Sequence, residues 1–198
     1  MDADEETIKA FLESNGLKPE RFSKEEVRAG KTPDFRVFLN GEFQFFCEVK
    51  GSPEDSWLDK QLEGAKPGQL VGGPRNDPVF NRLTDDIHQA VKQFDAVNED
   101  RAAPNVLALV NHDEMCGFND LLGVLTGNFY AENGAAHPIY RQFSHGRIRD
   151  EKNRVDLFIG LDDHKPNRLL FSQVDDGHHA KLLAIFGLSQ DAIVQIES

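Results

Sequence analysis

Apolar and polar residues alternate along residues 33–50, and this spacing predicts two β-strands joined by a tight turn. The odd positions are apolar and the even ones are mostly polar; the apolar set is Phe35, Val37, Leu39, Phe43, Phe45, Cys47 and Val49. Because successive side chains of a strand point to opposite faces, this pattern buries one face of a sheet. Phe38 and Phe46 interrupt the polar side, so we expect the second face to be partly covered as well.

Two other segments repeat their apolar residues at helical spacing. Residues 4–15 carry Ile8, Phe11 and Leu12, and a glycine follows them as a stop signal. Residues 79–97 have the clearest amphipathic pattern, whose apolar face consists of Phe80, Leu83, Ile87, Ala90, Val91 and Phe94. Helices are therefore predicted before and after the hairpin in the chain.

The rest of the chain mixes helical and strand patterns. Val106–Val110 is an uninterrupted apolar run, which is typical of a central strand buried on both faces. Residues 51–78 are rich in proline and glycine and are expected to be irregular. The further elements are a helix at 118–126, strands at 155–161 and 168–173, a helix at 178–187 and a late strand at 192–196. Together they predict a single α/β domain over residues 1–198, with a mixed central sheet flanked by helices.

Length and charge restrict the class of protein. A chain of 198 residues can bury a sizeable core, and its net charge of −12 disfavours loose, nonspecific binding to nucleic acid. No apolar run approaches the length of a membrane span, and the first residues are acidic where a signal peptide would be basic. Two cysteines cannot form a disulfide scaffold. We therefore expect a cytoplasmic protein without a membrane partner.

The turn at residues 39–42 decides which side chains of the hairpin share a face. Its Asn-Gly pair favours a two-residue type I′ loop, but that register would send the apolar residues of the two strands to opposite faces. A three-residue loop, Leu39–Gly41, keeps them together, so burial favours it. The resulting pairs are Phe38 with Glu42 and Asp34 with Phe46.

This register brings Asp34, Glu48 and Lys50 to one side of the sheet. Two carboxylates near the end of a hairpin suit Mg²⁺ or Mn²⁺, which take few protein ligands and keep several waters. Such an ion lowers the pKa of water and offsets charge on a phosphoryl group. The Lys50 ammonium would orient or help deprotonate the water, or counter developing negative charge.

Pro33-Asp34, thirteen intervening residues and Glu48-Val49-Lys50 resemble the signature of the PD-(D/E)XK nuclease superfamily. The resemblance implies a restriction-endonuclease-like core: an N-terminal helix, three strands with the motif on the second and third, a helix and a further strand. Residues 4–112 supply that order, and residues 113–198 would elaborate the same domain. The function implied is a Mg²⁺- or Mn²⁺-dependent endonuclease that hydrolyses DNA phosphodiester bonds.

The resemblance also implies a role for each residue of the motif. Asp34 and Glu48 would bind the metal ion. The backbone carbonyl of Val49 would be a third ligand, and Lys50 would act on the attacking water.

Two helices supply further candidates by the same resemblance. Many members add a Glu about three turns before the end of the first helix, and Glu5 fits best, with Glu13 as the alternative. Several members use a Gln on the helix after the motif, and Gln93 resembles it. His88 and Arg82 are further candidates on that helix.

Residues 141–154 form the most basic stretch of an acidic chain. Its cations are Arg141, Arg147, Arg149, Lys152 and Arg154. Next to a metal site they would contact DNA phosphates. In a turn between strands they would only face water, and the sequence leaves both interpretations open.

Two other functions stay open at this point. The chain can be a noncatalytic nucleic-acid-binding or regulatory subunit that keeps the nuclease fold and pairs with a partner protein. Alternatively, the same site would cut RNA or branched DNA. Because no separate recognition domain is evident, sequence-specific cutting would need a homodimer or a partner protein.

Overall fold

The computed structural model describes residues 1–52, 57–72, 79–113, 117–131, 133–139, 145–162, 165–172 and 174–192. The helices are α1 (Ala3–Ser14), α2 (Lys24–Ala29), α3 (Trp57–Glu63), α4 (Val79–Val97), α5 (Phe118–Thr126) and α6 (Asp176–Ile185). The strands are β1 (Lys18–Arg21), β2 (Phe35–Leu39), β3 (Glu42–Gly51), β4 (Asn105–Asn111), β5 (Asn128–Tyr130), β6 (Ala136–Pro138), β7 (Leu157–Asp162) and β8 (Lys165–Phe171). Short 3₁₀ turns lie at His145–Arg147, Glu151–Arg154 and Gln190–Ala192.

A mixed sheet organises the described part of the chain, with the strand order β1-β2-β3-β4-β7-β8. The first three strands are antiparallel neighbours, β3, β4 and β7 run parallel, and β8 returns antiparallel to β7. A separate two-stranded ribbon joins β5 to β6. The predicted α/β class, a mixed sheet flanked by helices, is confirmed. Through β4 the order of helix, three strands, helix and strand, with α2 and α3 inserted, is the order that the resemblance implies.

Helices cover the sheet on both faces. On one face, Ile8 and Leu12 of α1 and Leu182 of α6 pack with the odd-numbered apolar residues of β2 and β3. On the other face, α4 and α5 pack against Phe46 and Leu107. Phe46 is buried there, which confirms that the second face of the hairpin is covered. Glu48 and Lys50 of β3 therefore lie on a face that helices cover, whereas Glu42 at the start of the strand is exposed.

The start of α1 follows from its sequence. Asp2 caps α1, since its carboxylate accepts the Glu5 N–H at 2.9 Å and the Glu5 side chain accepts the Asp2 N–H at 3.3 Å. Such a capping box contributes on the order of 1 kcal/mol to helix stability. The helix predicted at 79–97 is confirmed as α4, and the helix predicted at 118–126 is confirmed as α5.

The predicted three-residue turn is wrong. Asn40 and Gly41 both have positive φ, at 53° and 85°, and form a two-residue loop that pairs Leu39 with Glu42. Their turn chemistry prevails because a β-bulge at Gln44 absorbs the mismatch, so that Val37 pairs with Phe45 and Phe35 with Cys47. Odd positions again oppose odd positions, and one face stays apolar. Asp34 consequently lies beside Glu48 rather than opposite Phe46.

Several other boundaries differ from the sequence prediction. The segment 51–78, expected to be irregular, contains α3, while β1, α2, β5 and β6 were not predicted. β1 is a polar edge strand that exists through its pairing with β2, and a four-residue pattern does not reveal such a strand. β8 begins three residues earlier than predicted, and the late strand at 192–196 falls almost wholly outside the described residues. None of the described helices is long and apolar enough to cross a membrane.

Candidate active site

Asp34, Glu48 and Lys50 meet on one face of the sheet, as the sequence predicts. The Lys50 Nζ lies 2.7 Å from Glu48 Oε1. Asp34, just before β2, accepts the Val49 N–H at 2.8 Å through Oδ2 and lies within hydrogen-bonding reach of the Glu48 carboxyl. The three side chains converge although the predicted register is wrong, because the bulge again places odd-numbered residues of β2 opposite odd-numbered residues of β3.

Glu48 is the most buried member of this cluster. It is only 1% exposed, and its Oε2 has no hydrogen-bond donor among the described residues. Burial and, to a smaller extent, the negative charge of Asp34 raise the pKa of Glu48, Lys50 lowers it, and the pKa that results is about 8. In the absence of a second cation, this carboxyl is therefore protonated at neutral pH.

The donor set fits a hard divalent cation. A buried carboxylate oxygen without a donor, next to a second carboxylate, is stabilised by a proton or by a metal ion. Within the described ranges, no three His, Cys, Asp or Glu side chains converge. An ion held here would thus use Asp34 and Glu48, with its other ligands from backbone, water or substrate phosphate, as Mg²⁺ commonly does. The Val49 side chain belongs to the core on the opposite face, and its role as a carbonyl ligand stays a prediction.

Glu5 and Gln93 lie near Asp34 but are held by other groups. Glu5 forms an ion pair with Arg21 at 2.8 Å in addition to its part in the α1 cap. Burial raises the pKa of Glu5, the charge of Asp34 raises it further, and Arg21 lowers it. The Gln93 side chain donates to the Thr32 carbonyl at 3.1 Å, which anchors the segment leading to Asp34. Both positions are suited to orienting the motif, and their catalytic roles stay predictions.

The other candidates on α1 and α4 are Glu13, His88 and Arg82, and each has a different environment. Glu13 is exposed and pairs loosely with Lys9 at 3.8 Å, whereas His88 contacts Glu151 at 2.8 Å. Arg82 lines the cavity described below.

Asp86 was missed by the sequence analysis. It lies on α4 and faces the same cavity as Lys50, and burial raises its pKa while the charges of Lys50 and Arg82 lower it. Its sequence signal was weak: Asp86 follows Arg82 at i, i+4 on the polar side of the amphipathic pattern, where surface ion pairs are common. Only the packing of α4 on β3 brings this carboxylate towards Lys50.

Asp4 is a second residue that the sequence analysis did not select. Its Oδ1 lies 2.6 Å from His112 Nε2, at the end of β4. A Cβ on Gly51 would lie 1.6 Å from Asp4 Oδ2, so only glycine permits this approach. The close approach of Asp4 to Gly51 places the start of α1 next to the residue that follows Lys50.

A cavity of about 530 Å³ opens next to this cluster. It lies where the parallel strands β3, β4 and β7 end, which is the usual position of ligand sites in α/β sheets. Lys50 and Asp86 reach it, and the start of α5 forms part of its wall. Among the described residues, Lys50 is therefore the member of the charged cluster that lines this space, and it connects the buried Glu48 to a cavity that can admit a substrate.

The basic stretch is largely engaged within the protein. Lys152 donates to the Leu125 carbonyl at 3.2 Å, and burial lowers its pKa. Arg154 pairs with Asp95, with Nε to Oδ1 at 3.0 Å. Arg147 contacts Asn81 at the start of α4, Arg149 is exposed, and Arg141 lies outside the described residues. Contact of these five with DNA stays a prediction, and Arg147 and Arg149 fit it better than Lys152 and Arg154.

The raised pKa of Glu48 predicts how stability depends on pH. The folded protein keeps this proton up to about pH 8, while the unfolded chain releases it near 4.5, so between these values the folded state binds more protons. The free energy of unfolding of the metal-free protein should therefore fall as pH rises through this window. Urea unfolding in EDTA at several pH values measures it. Glu48→Gln should remove the part of this fall that comes from Glu48. Identical dependence of the free energy of unfolding on pH in the two proteins would contradict a raised pKa of Glu48.

Comparisons of this chain with protein-family models, with curated proteins and with solved structures found no match.

Proposed function

We propose that this protein is a metal-dependent nuclease that hydrolyses DNA phosphodiester bonds with a PD-(D/E)XK-type site on a restriction-endonuclease-like fold. The observation that carries the proposal is the buried Glu48 oxygen, which has no donor in the part of the chain that the structure describes; it lies next to Asp34, on the same carboxyl group that holds Lys50 at 2.7 Å. The ion pair with Lys50 uses one oxygen of Glu48, and the other is satisfied by a proton or by a metal ion. The order of elements through β4 supports the same proposal.

The residues of the cluster divide the chemistry between them. Asp34 and Glu48 would hold Mg²⁺ or Mn²⁺, and the ion would supply a Lewis acid that acidifies water and offsets phosphate charge. Glu48 would release its proton to solvent if an ion bound, because the cation would replace the proton as the partner of the buried oxygen. Lys50, next to Glu48, would either orient the attacking water or stabilise charge that develops on the phosphate.

A noncatalytic nucleic-acid-binding or regulatory subunit is the second candidate. It is favoured by the internal contacts of Lys152 and Arg154, which reduce the basic surface available for DNA on a chain of net charge −12. On either function we propose a cytoplasmic protein. The nuclease would take DNA as substrate, with RNA or branched DNA as variants of the same chemistry, and would use a homodimer or partner protein for sequence specificity.

Metal binding and plasmid nicking separate the two functions. We expect calorimetry to detect Mg²⁺ and Mn²⁺ binding that strengthens as pH rises towards about 8, since the ion competes with the Glu48 proton. Supercoiled plasmid should be nicked with either ion and stay intact in EDTA.

Glu48→Gln is the matched variant for this test. It keeps the size of the side chain and removes its charge, so both metal binding and nicking should be lost. A parent protein that binds neither ion would contradict the nuclease proposal and favour the regulatory subunit.

A further inference from the structure

One row of paired residues crosses the sheet at the floor of the cavity. Lys50 pairs with Leu109, Leu109 with Gly160, and Gly160 with Arg168. Paired residues of neighbouring strands share a face, so the row carries a cation at each end and two uncharged residues, Leu109 and Gly160, between them. Three strand spacings put the ends of the row about 14 Å apart. We refer to this row and the walls above it as the trough.

The walls of the trough come from α4 and α5. Leu83 and Asp86 line one side, and Phe118 at the start of α5 lines the other. A Cβ on Gly160 would lie 3.3 Å from the Phe118 ring, so the ring lies directly over the glycine. The missing side chain thus leaves an aromatic group above a flat floor, between the two cations.

The charges at the two ends of the trough differ in their environment. Lys50 is held by Glu48, whereas Arg168 is exposed and its only acceptor among the described residues is the Asn167 carbonyl, at 3.4 Å. Of the acidic residues in the trough, Asp86 interacts with the charges of Lys50 and Arg82, and two others have polar contacts of their own. Asp162 accepts from Asn111 at 3.0 Å, and Asp120 accepts the Gly117 N–H at 2.9 Å. Of the two ends of the row, Arg168 therefore has more donors open to an incoming anion than Lys50 has among the described residues.

We propose that the trough binds a single-stranded segment of DNA next to the bond that is cut, with a base against Phe118 and a phosphate on Arg168. This inference rests on the proposed function. An aromatic platform combined with a cationic track is the usual way in which proteins bind unpaired strands. A base inside a duplex would first have to unpair and unstack to enter a concave space, which is unfavourable. The enzyme should accordingly prefer single strands or frayed ends to paired DNA.

Cleavage of one labelled oligonucleotide, alone and annealed to its complement, tests the inference in the presence of Mn²⁺. We expect kcat/KM to be at least about tenfold higher on the single strand, in line with the avoided unstacking. Arg168→Ala should lower kcat/KM on the single strand about tenfold, mainly through KM, and reduce the slope of log affinity against log salt by about 1. Arg28→Ala removes the same charge from exposed α2 and is the matched control.

Phe118→Leu provides an independent variant, because it keeps apolar volume and removes the ring. We expect a loss of about tenfold on the single strand, the scale of one base stacked on an aromatic side chain. Unfolding midpoints equal to that of the parent will show that each variant is folded.

The outcomes separate this inference from the proposed function. Equal kcat/KM on single strand and duplex, or Arg168→Ala behaving like Arg28→Ala, would overturn the inference while Mn²⁺-dependent cleavage still upholds the nuclease. Faster cutting of the RNA strand of the same sequence would overturn DNA as its occupant. Failure to bind Mn²⁺ and to cut either substrate would refute the nuclease itself, and the inference with it.

Discussion

Asp34→Asn is expected to lower the rate of Mg²⁺-dependent DNA cleavage by about 10³-fold while leaving the fold intact. The substitution removes a proposed direct ligand, and the charge stabilisation that a bound ion provides amounts to several kcal/mol. Asparagine still offers a side-chain oxygen to the Val49 N–H, which Asp34 binds at 2.8 Å, so β2 and β3 keep this connection. Cleavage rates and metal calorimetry on the same preparation measure the two effects.

Asp100→Asn is the matched control for this experiment. Asp100 is exposed and also accepts a backbone N–H, that of Ala102, at 3.2 Å, so the control removes the same charge and keeps the same kind of bond. It should cut DNA at the parent rate. Asp34→Asn protein that cleaves as fast as Asp100→Asn would show that Asp34 is not a ligand.

Lys50→Met is expected to reduce cleavage about 10²- to 10³-fold, the range observed when one group that stabilises developing charge is removed. Methionine retains the apolar stem of the lysine and loses its ammonium group. Without Lys50, the pKa of Glu48 should rise further, because Lys50 lowers it in the parent protein. Metal binding should consequently need a higher pH but should still occur.

The separation of binding from chemistry makes this prediction specific. At alkaline pH, Lys50→Met should bind Mn²⁺ in calorimetry and still fail to cut DNA, whereas Lys24→Met on exposed α2 should match the parent in both assays. Restored cleavage wherever metal binding is restored would mean that Lys50 acts only by tuning Glu48, and its role in the chemical step would be wrong.

The convergence of Asp34, Glu48 and Lys50 was predictable from local pattern, although the path to it was not. The alternation of side chains between the two faces of a strand is easily predicted, because any register that exposes a complete apolar face is costly. The turn could not be derived from this alternation, since a bulge at Gln44 allows the Asn-Gly loop and the buried face to coexist. Two local preferences that seemed to conflict were both satisfied by one inserted residue.

The contacts of the cations in residues 141–154, by contrast, could not be predicted from the local pattern. Arg154 and Lys152 are close in sequence to Arg147 and Arg149, but they contact Asp95 of α4 and the Leu125 carbonyl of α5. Charge composition counts cations without indicating which of them an acidic or carbonyl partner already holds. These pairings depend on how α4 and α5 pack, and they decide which cations remain available to a ligand.

The sequence by itself determined the helices α1, α4 and α5, the doubly buried β4 and the shared face of the three charged residues, because each follows from the spacing of side chains along one local element. Tertiary structure alone decided that Glu48 is buried with an oxygen that no described residue donates to, that Asp86 lines the same cavity as Lys50, and that a trough crosses from Lys50 to Arg168. These features join residues that are far apart in the chain. They depend on the order of the strands and on the packing of helices over them. The spacing of apolar residues within a single helix or strand contains no information about either.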